Sequence, residues 1–516
     1  MTAPLLERAL EVAVLAALAW PAVRACAGRS FWRAFARAAC GLAALLAVYA
    51  AGLTVVAVVA PAWVLRGLAG AGLGLLLVVH WFAAPSRGRA RRWPPGSLRP
   101  LPLGPWFERG FFFEQHRRFG SPFKTCQFMR PMACFVGLSS GLDVLREHEA
   151  ALSSPPLPAG RFIPGGFLRH MTPETHVVTK DVFRAALVRE VYEPLEPFMR
   201  ETIRAELARM EEASNGSGGR GVSPRRHIQR AVFAMWARLF FHVAPGTADF
   251  TRLQALFKVI DVRNPARASD GTVRAALAEI TECLRRQRAA APSAGIGAPC
   301  SFLDAMARSR PDAVEDLTVI GNLIYLMHFT WSDVSGLLVW LFRMLTEHPE
   351  WAERLRTAAT GTGAEDEGGL PLSTRVVLET LRLEQSEHLY RVATREIEHR
   401  GFVIPRGWLV RLCVRESHRD PAVFENPEAF DPDRFLRRTY TRREYSPFGA
   451  GLRHTCLGEG LTRLVGHVFV EEVASAYTWR TVTDGAYEYS AWRHWRPSSR
   501  WRVLATSTAA LRPSGS

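Results

Sequence analysis

The residues of this chain that could do chemistry lie in four short segments of its last third. In order they are ETLR (379–382), HRDP (418–421), FDPDRF (430–435) and SPFGAGLRHTCLGE (446–459). In the last segment, glycines surround Cys456, so backbone can approach a flat ligand and point N–H groups at the sulfur. A thiolate held in this way could ligate a metal ion at the centre of a flat macrocycle. In the first segment, Glu379 and Arg382 lie at i and i+3 of a predicted helix, where an acid and a base can pair.

In this order and at these separations, the four segments resemble the cytochrome P450 superfamily. The resemblance covers the chain from about Trp93 to Ala505. The cysteine loop is most similar to that of sterol demethylases, with one extra residue, Leu452. The resemblance implies a mainly α-helical domain with small β-sheets and the cytochrome P450 fold. It also implies haem b (iron protoporphyrin IX) as the cofactor, with Cys456 as the iron ligand.

The resemblance assigns further residues by their positions in the family pattern. Glu379, Arg382 and Arg434 match the structural triad that locks the loop holding the haem cysteine. Haem propionates need cationic partners, and the expected partners include Lys180 at a position that is usually Arg. The full set of residues expected to bind the cofactor is His176, Lys180, Arg391, Phe448, Gly451, Arg453, His454, Cys456 and Gly458.

A long, nearly apolar segment, residues 319–345, is expected to form a central helix. As a membrane span it would place Asp333 and Arg343 in the bilayer, at about 2.5–3.5 kcal/mol each, so a buried helix of a soluble domain is favoured. In most P450 monooxygenases this helix carries an acid followed by a threonine, which relay protons. Without a gap, Ser332 takes the acid position and Asp333 the threonine position. With a one-residue shift, Asp333 takes the acid position and Val334 the threonine position.

Either alignment lacks the threonine, and we expect Ser332 and Asp333 to act as a catalytic acid–alcohol pair in reversed order. The substrate pocket is expected to include Phe329 and the three residues Glu387, His388 and Leu389. A polar Glu–His pair hints at a substrate with a polar or charged group, and a solvent-facing turn is the equal alternative. Residues 162–169 are expected in the loop over the haem.

The favoured function is a haem-thiolate monooxygenase that oxidises a lipophilic small molecule with O2, in specialised metabolism. Electrons would come from a ferredoxin or a flavoprotein reductase. The missing threonine leaves open a P450-type isomerase, dehydratase or cyclase that needs no redox partner. A catalytically silent P450-like partner protein is the third hypothesis, and the retained Cys456 argues against it.

The N-terminal residues 1–85 are predicted to form a membrane anchor. The uncharged runs Cys40–Leu65 and Gly67–Ala84 are long enough to span a bilayer core of ~30 Å, which needs about 20 apolar residues. The shorter run Val12–Val23 is a third span or an interfacial helix. Acidic residues near the N-terminus disfavour a cleaved signal peptide.

Two arginine clusters flank the anchor and set its expected orientation. They lie at residues 24–37 and 87–92, on the same side of the membrane for two or three spans. The positive-inside bias therefore predicts a membrane protein with a cytoplasmic catalytic domain. A stiff Pro- and Arg-rich hinge is expected at 86–105, followed by the catalytic domain at 106–516.

Composition excludes several other classes. The chain has 516 residues, 65 Lys+Arg against 49 Asp+Glu, a net charge of +16 and 48% hydrophobic residues, which excludes disorder. Its eight cysteines form no CxxC pair, which argues against a disulfide scaffold and a zinc ribbon. Arginines are spread along the whole chain without an RNP-like strand or a finger motif, which argues against nucleic-acid binding. The basic excess suits an acidic redox partner.

The coarse pattern of elements agrees with a helical domain that carries small sheets. Strand signals fall at 117–141, 390–414 and 479–505, and helical periodicity dominates 175–356, interrupted by Gly/Ser-rich 213–224 and by 289–299. The GLSSG stretch at 137–141 matches a nucleophile elbow. Without alternating βα units and an upstream oxyanion motif, it is interpreted as a polar turn between a strand and a helix.

Overall fold

The computed structural model describes residues 92–98, 108–127, 130–155, 158–261, 269–290, 301–359, 369–385, 388–449, 456–485, 487–488 and 495–507. The predicted membrane anchor and most of the predicted hinge lie outside the described residues. Within the described ranges, no helix is both long enough and apolar enough to cross a bilayer. The described chain divides into two compact units.

The first unit, here called the sheet unit, comprises the described residues up to Ser153 together with His388–Cys413. Its helices are α1 (Phe111–Phe119) and α2 (Leu138–Glu147). Its strands are β1 (Phe123–Gln127), β2 (Arg130–Phe135), β3 (Leu152–Ser153), β4 (His388–Ala393), β5 (Ile397–His399), β6 (Phe402–Ile404) and β7 (Leu409–Cys413).

Five of these strands form one mixed sheet in the order β1-β2-β7-β4-β3, and β5 and β6 form a separate hairpin. The β2–β7 pair is parallel, whereas the other pairs are antiparallel. All residues of β7 are buried, as expected for the middle strand of a covered sheet. Helix α2 packs closely on β7, because a Cβ added at Gly141 would lie 2.1 Å from Leu412 Cδ1.

The GLSSG stretch joins β2 to α2, which confirms the interpretation as a strand-to-helix turn. Gly137 precedes the helix with a φ of 98°, a backbone angle that favours glycine. Ser139 lies in the first turn of α2 and is exposed.

The second unit, here called the helical unit, comprises the described residues of 154–387 and 414–516. Its helices are α3 (Pro173–Ala186), α4 (Arg189–Tyr192), α5 (Glu196–Asn215), α6 (Pro224–Phe241), α7 (Ala248–Val259), α8 (Asp270–Ala290), α9 (Phe302–Ser309), α10 (Leu317–Glu347), α11 (Pro349–Ala359), α12 (Leu372–Thr380), α13 (Val414–Ser417), α14 (Arg434–Arg437) and α15 (Glu459–Ala476). Two small antiparallel sheets pair β8 (Tyr477–Thr483) with β11 (Arg502–Ser507) and β9 (Tyr487–Glu488) with β10 (Arg496–Pro497).

Helix α10 runs through the core of the helical unit and confirms the predicted buried central helix. Its 31 residues are mostly buried, and α6, α12 and α15 pack around it. Its one buried arginine, Arg343, is paired: Nε donates to Glu347 Oε1 at 2.6 Å and Nη2 to Asp484 Oδ1 at 2.8 Å. Pairing of this kind lets a soluble core accept a charge that a bilayer would not.

Helices extend into both predicted interruptions, by three residues at 213–224 and by two residues at 289–299. Helix α5 continues to Asn215, inside the Gly/Ser-rich stretch, so the connection to α6 is shorter than the composition indicates. The first residues of that stretch, Ala213 and Ser214, are good enough helix formers to extend a helix whose apolar face is already buried.

Candidate functional site

Three charged side chains of the helical unit meet in a buried site. Glu379, near the end of α12, accepts two bonds of 2.8 Å from Arg382, one from Nε and one from Nη2. Arg434 Nε donates to Glu379 Oε1 at 3.0 Å. The three side chains are 0%, 0% and 3% exposed. A fully buried carboxylate is stable here because two guanidinium groups satisfy it.

The two arginines also hold the chain segment that follows α13. Arg382 donates to the carbonyl oxygens of His418, Pro427 and Ala429 at 2.7–3.0 Å. Arg434 donates to Glu425 O at 2.8 Å. These bonds fix a stretch without regular secondary structure, whose carbonyl groups would otherwise be left unsatisfied.

The backbone just after α12 forms a π-helical turn, Leu381–Gln385. A π turn frees carbonyl oxygens from the usual ladder, and Leu383 O accepts instead from Arg415 Nε at 3.2 Å and Arg419 Nη1 at 2.7 Å. Arg419 therefore ties the HRDP segment to the helix that carries Glu379.

His418 links this framework to the cysteine segment. Its Nε2 accepts the Ser446 backbone N–H at 3.1 Å, and its ring stacks on Tyr445 with centroids 5.1 Å apart. The Tyr445 hydroxyl donates to Leu378 O on α12 at 2.8 Å. Burial, together with the nearby Arg382 and Arg419 charges, lowers the pKa of His418 to about 3. The ring is therefore neutral, and Nε2 is available as an acceptor.

The cysteine segment closes on itself at Cys456. The Cys456 N–H donates to Phe448 O at 2.9 Å, and Gly449 adopts a φ of 90° that favours glycine. This brings the predicted residues Phe448 and Cys456 together. The predicted Gly451, Arg453 and His454, and the extra Leu452, lie outside the described residues.

Cys456 lies at the start of α15, an 18-residue helix, and is exposed. Gly458 is the N-cap of α15, and a Cβ at this position would lie 3.9 Å from the sulfur. The positive end of a helix favours the thiolate form of a nearby cysteine. The thiol is thus held where its charged form is stabilised.

Helix α3 carries the predicted His176 and Lys180 one turn apart. His176 is buried and Lys180 half-buried. Burial and the Arg184 charge lower the pKa of Lys180, whereas Asp181 and the charge on Cys456 act in the opposite sense. Lys180 therefore lies within electrostatic range of the sulfur.

These groups fit a haem. An iron porphyrin with acidic propionates needs a thiolate ligand, room for a flat ring and a cation, and Cys456, Gly458 and Lys180 can supply them. His176, Lys180, Cys456 and Gly458 would hold it on this unit.

The central helix α10 places the predicted Ser332 and Asp333 side by side. Asp333 is exposed, Ser332 half-buried and Val334 buried. Thr330 cannot replace the missing threonine, because its hydroxyl donates to Leu326 O at 2.7 Å and accepts from Trp236 Nε1 at 2.9 Å. Of the predicted pair, Asp333 is thus the more exposed polar residue.

Phe329 belongs to an apolar cluster between α10 and the segment 158–170. Its ring stacks on Tyr325 at 5.9 Å and meets Phe167 edge to face at 5.4 Å. Asn322 pins the segment to α10, since its Oδ1 accepts from Leu168 N at 2.7 Å and its Nδ2 donates to Gly166 O at 3.1 Å. Phe329 thus lies against the loop that the sequence predicted over the haem.

The remaining predicted residues belong to the sheet unit or are not described. Arg391, His388 and Leu389 lie on β4 and are half-buried. Arg391 Nη1 donates to the Tyr390 carbonyl at 2.7 Å. Glu387 lies outside the described residues.

Two contributors to the site were not identified from the sequence. The HRDP motif predicts neither the acceptor role of His418 nor the contribution of Tyr445. The only available signal was their position, inside or next to the quoted motifs. Their roles depend on contacts between distant parts of the chain.

Comparisons with known proteins find similarity to cytochrome P450 proteins. The family model "Cytochrome P450" matches residues 277–490. Abscisic acid 8'-hydroxylase 2 of Oryza sativa subsp. indica is 25% identical over 472 residues, covering 81% of this chain and 90% of the relative. A cytochrome P450 family 716 polypeptide of Citrus sinensis is 32% identical over 181 residues, covering 33% of this chain and 37% of that protein.

Solved structures show the same fold. A cyanobacterial P450 with bound retinoic acid has a TM-score of 0.65 at 22% identity, covering 81% of this chain and 100% of that chain. A zebra fish cytochrome P450 with progesterone has a TM-score of 0.62 at 19% identity, covering 79% and 100%. The family model covers less than half of the chain, and together with these relatives it supports a haem-thiolate cytochrome P450 that oxidises lipophilic small molecules.

Proposed function

We propose that the chain is an O2-dependent monooxygenase that hydroxylates a lipophilic small molecule carrying a polar group. The observation that carries the proposal is the connected framework from Glu379 through His418 to Ser446, which fixes the segment before Cys456. Bound haem b would supply O2 activation, with electrons from a ferredoxin or flavoprotein reductase.

The protein's own residues would perform three tasks. Cys456 ligates the iron as a thiolate, and the start of α15 stabilises its charge. Lys180 and His176 on α3 would pair with the propionates, and the same role for Arg391 stays a prediction from the family pattern. Asp333 and Ser332 deliver protons at the carboxyl and hydroxyl oxygens of their side chains.

The substrate class draws on the relatives. The abscisic acid 8'-hydroxylases of rice are named for abscisic acid, and the match to this chain extends over most of both proteins. The aromatic wall formed by Phe329, Tyr325 and Phe167 suits an apolar skeleton. At 25% identity, the class of substrate is proposed here, and the particular compound is not.

The first test is the difference spectrum of the dithionite-reduced protein with carbon monoxide, on wild type and Cys456→Ser. A red-shifted Soret band in wild type that is lost in the variant would support thiolate-ligated haem. Haem-free wild-type protein that is otherwise well folded would refute the proposal and favour the silent partner protein.

The second test is the requirement for electrons. Substrate consumption that needs NAD(P)H, a reductase and O2, with one atom of labelled O2 in the product, would support a monooxygenase. Asp333→Asn is expected to lower turnover at least tenfold while the carbon monoxide spectrum is unchanged. Full turnover in Asp333→Asn would contradict the proton-delivery role.

An isomerase, dehydratase or cyclase is the second candidate. The observation in its favour is the central helix, where Thr330 is engaged with Trp236 and either alignment leaves the threonine position without a threonine. Turnover of a peroxide or an oxime without NAD(P)H and reductase would select this candidate over the monooxygenase.

We further propose that residues 1–85 anchor the protein in a membrane with two or three spans and that the catalytic domain faces the cytoplasm. The uncharged runs at 40–65 and 67–84 and the flanking arginines support this topology. An anchor would let an apolar substrate enter from the bilayer.

A further inference from the structure

The sheet unit contains a cluster of metal-ligating side chains that the haem chemistry does not use. Glu147 is the last residue of α2, His148 follows it, and His399 ends β5. One ligand atom from each of the three side chains lies within 4.8 Å of the others.

The geometry of the cluster is compact. His399 Nδ1 lies 3.1 Å from Glu147 Oε2, and His148 Nε2 lies 4.0 Å from the same oxygen. The two imidazole rings are 5.7 Å apart at 83°. Glu147 and His148 are adjacent in sequence. Both side chains can face the same point because the backbone of His148 is not helical, with φ −116° and ψ 22°.

The imidazole nitrogens point to a ligand. His148 Nε2 is buried, faces the cluster and has no hydrogen-bond partner among the residues that the structure describes. The His399 side chain is only 3% exposed, so its ring is fixed by the surrounding core, including Phe135. A buried nitrogen without a partner is unfavourable, and a bound cation would satisfy it.

The types of ligand atom indicate which metal ion would bind. Two imidazole nitrogens and one carboxylate oxygen suit Zn²⁺, which takes three protein ligands and a water in open tetrahedral sites at about 2.0–2.2 Å. Ca²⁺ and Mg²⁺ prefer all-oxygen sites. Ligand atoms around tetrahedral Zn²⁺ are about 3.3 Å apart, so the 3.1 and 4.0 Å separations need only small side-chain movements.

Access and charge are compatible with a cation. The Glu147 side chain is 59% exposed, which leaves an open side for the ion and its water. Arg400, on the same hairpin, donates to Asp143 Oδ2 at 3.1 Å, so its charge is paired.

We propose that Glu147, His148 and His399 bind one Zn²⁺ ion that clips the end of α2 to the β5–β6 hairpin. The same hairpin bonds to a residue of the predicted hinge, since Val403 N donates to Arg92 O at 2.7 Å. The ion therefore reinforces a part of the sheet unit that would otherwise depend on an exposed Arg–Asp pair and one His–Glu contact.

The test is zinc binding by the full-length holoprotein after chelation. Wild type is expected to bind one equivalent of ZnCl2 in competition with a colorimetric chelator. His148→Ala and Glu147→Gln are each expected to bind at least tenfold more weakly. His348→Ala is the matched control, because His348 also faces one carboxylate, Glu350 at 3.5 Å, and it should bind as wild type does.

Two further measurements identify the site. X-ray absorption at the zinc edge should show nitrogen and oxygen ligands near 2.0–2.2 Å, whereas a sulfur shell near 2.3 Å would place the ion on cysteines and overturn the proposal. Zinc should slow hydrogen exchange at the end of α2 and in the β5–β6 hairpin of wild type but not of His148→Ala. No zinc binding, or equal binding by His148→Ala, would also overturn it.

Discussion

His418 shows how one neutral side chain can connect the buried ion network to the cysteine segment. It accepts the Ser446 N–H only while Nε2 is unprotonated. Its pKa falls from an ordinary 6.5 to about 3 in the folded protein, because burial disfavours the charged ring. The unfolded chain therefore takes up the proton first as the pH falls.

The sign of the pH dependence follows from linkage. The stability contributed by a neutral His418 is complete above pH 6.5 and is lost as the pH falls from 6.5 towards 3. Between pH 7.5 and 5.5 the loss is about 1.4 kcal/mol. In His418→Gln, an amide oxygen can still accept from Ser446, but it does not titrate. We expect the free energy of unfolding of wild type to fall by about this amount more than that of the variant.

Urea unfolding at the two pH values measures the difference, with His418→Leu as the variant that also loses the acceptor. His418→Leu should lose about 1–3 kcal/mol at pH 7.5, since a buried N–H is left unsatisfied. Parallel pH dependence in wild type and His418→Gln would contradict the assignment.

A substitution of Glu379 tests the contribution of the buried ion network to stability. Replacing it with Gln leaves two buried guanidinium groups, Arg382 and Arg434, without a carboxylate. We expect a loss of about 3–5 kcal/mol of stability and a sharply reduced haem content in purified protein. Chemical denaturation and the ratio of Soret to protein absorbance provide the measurements.

The control is Glu353→Gln on α11, which removes another Glu–Arg pair at i, i+3. Its carboxylate is 65% exposed, so the change should be within about 1 kcal/mol. Equal effects of the two substitutions would mean that the network around Glu379 does not depend on burial.

Helix α15 can lie close to α12 and α10 because Gly466 has no side chain. A Cβ at this position would lie 2.9 Å from Val377 Cγ2 and 3.6 Å from Leu341 Cδ1, and both neighbours are fully buried. This crossing brings the helix that begins beside Cys456 against the helix that carries Glu379.

Gly466→Ala should therefore destabilise the protein by about 1–3 kcal/mol, although alanine favours a helix. In a Val377→Ala background the obstacle is gone, and Gly466→Ala should stabilise by about 1 kcal/mol. A thermal or chemical unfolding cycle over the four proteins gives the coupling. Gly271→Ala on α8, whose added Cβ would meet only Ser269 Oγ at 3.8 Å, is the tolerated control. A neutral Gly466→Ala would contradict the close crossing.

In the molecule as a whole, features that depend on residues close in sequence could be predicted, whereas contacts between distant residues could not. The long apolar stretch predicted α10, and the motif order predicted a helical P450 fold, because both depend on residues close in sequence. The acceptor role of His418 depends on Ser446, a residue 28 positions away, and no periodicity encodes such a pairing. The cluster of Glu147, His148 and His399 could not be predicted for the same reason. Most of the helical unit lies between α2 and β5 in the sequence.

The way in which the full chain is attached to membranes can be tested by extraction with salt. A protein with a net charge of +16 could be held at an anionic lipid surface by electrostatics alone, and high salt would then release it. Inserted apolar helices would resist salt, because their hydrophobic transfer free energy is not screened. We expect the full chain to stay with the membrane fraction in 1 M salt and to need detergent for release. A chain beginning at residue 86 should be released by salt and keep the same reduced carbon monoxide band. Release of the full chain by salt would show that charge holds the protein at the membrane, and the proposed anchor would be wrong.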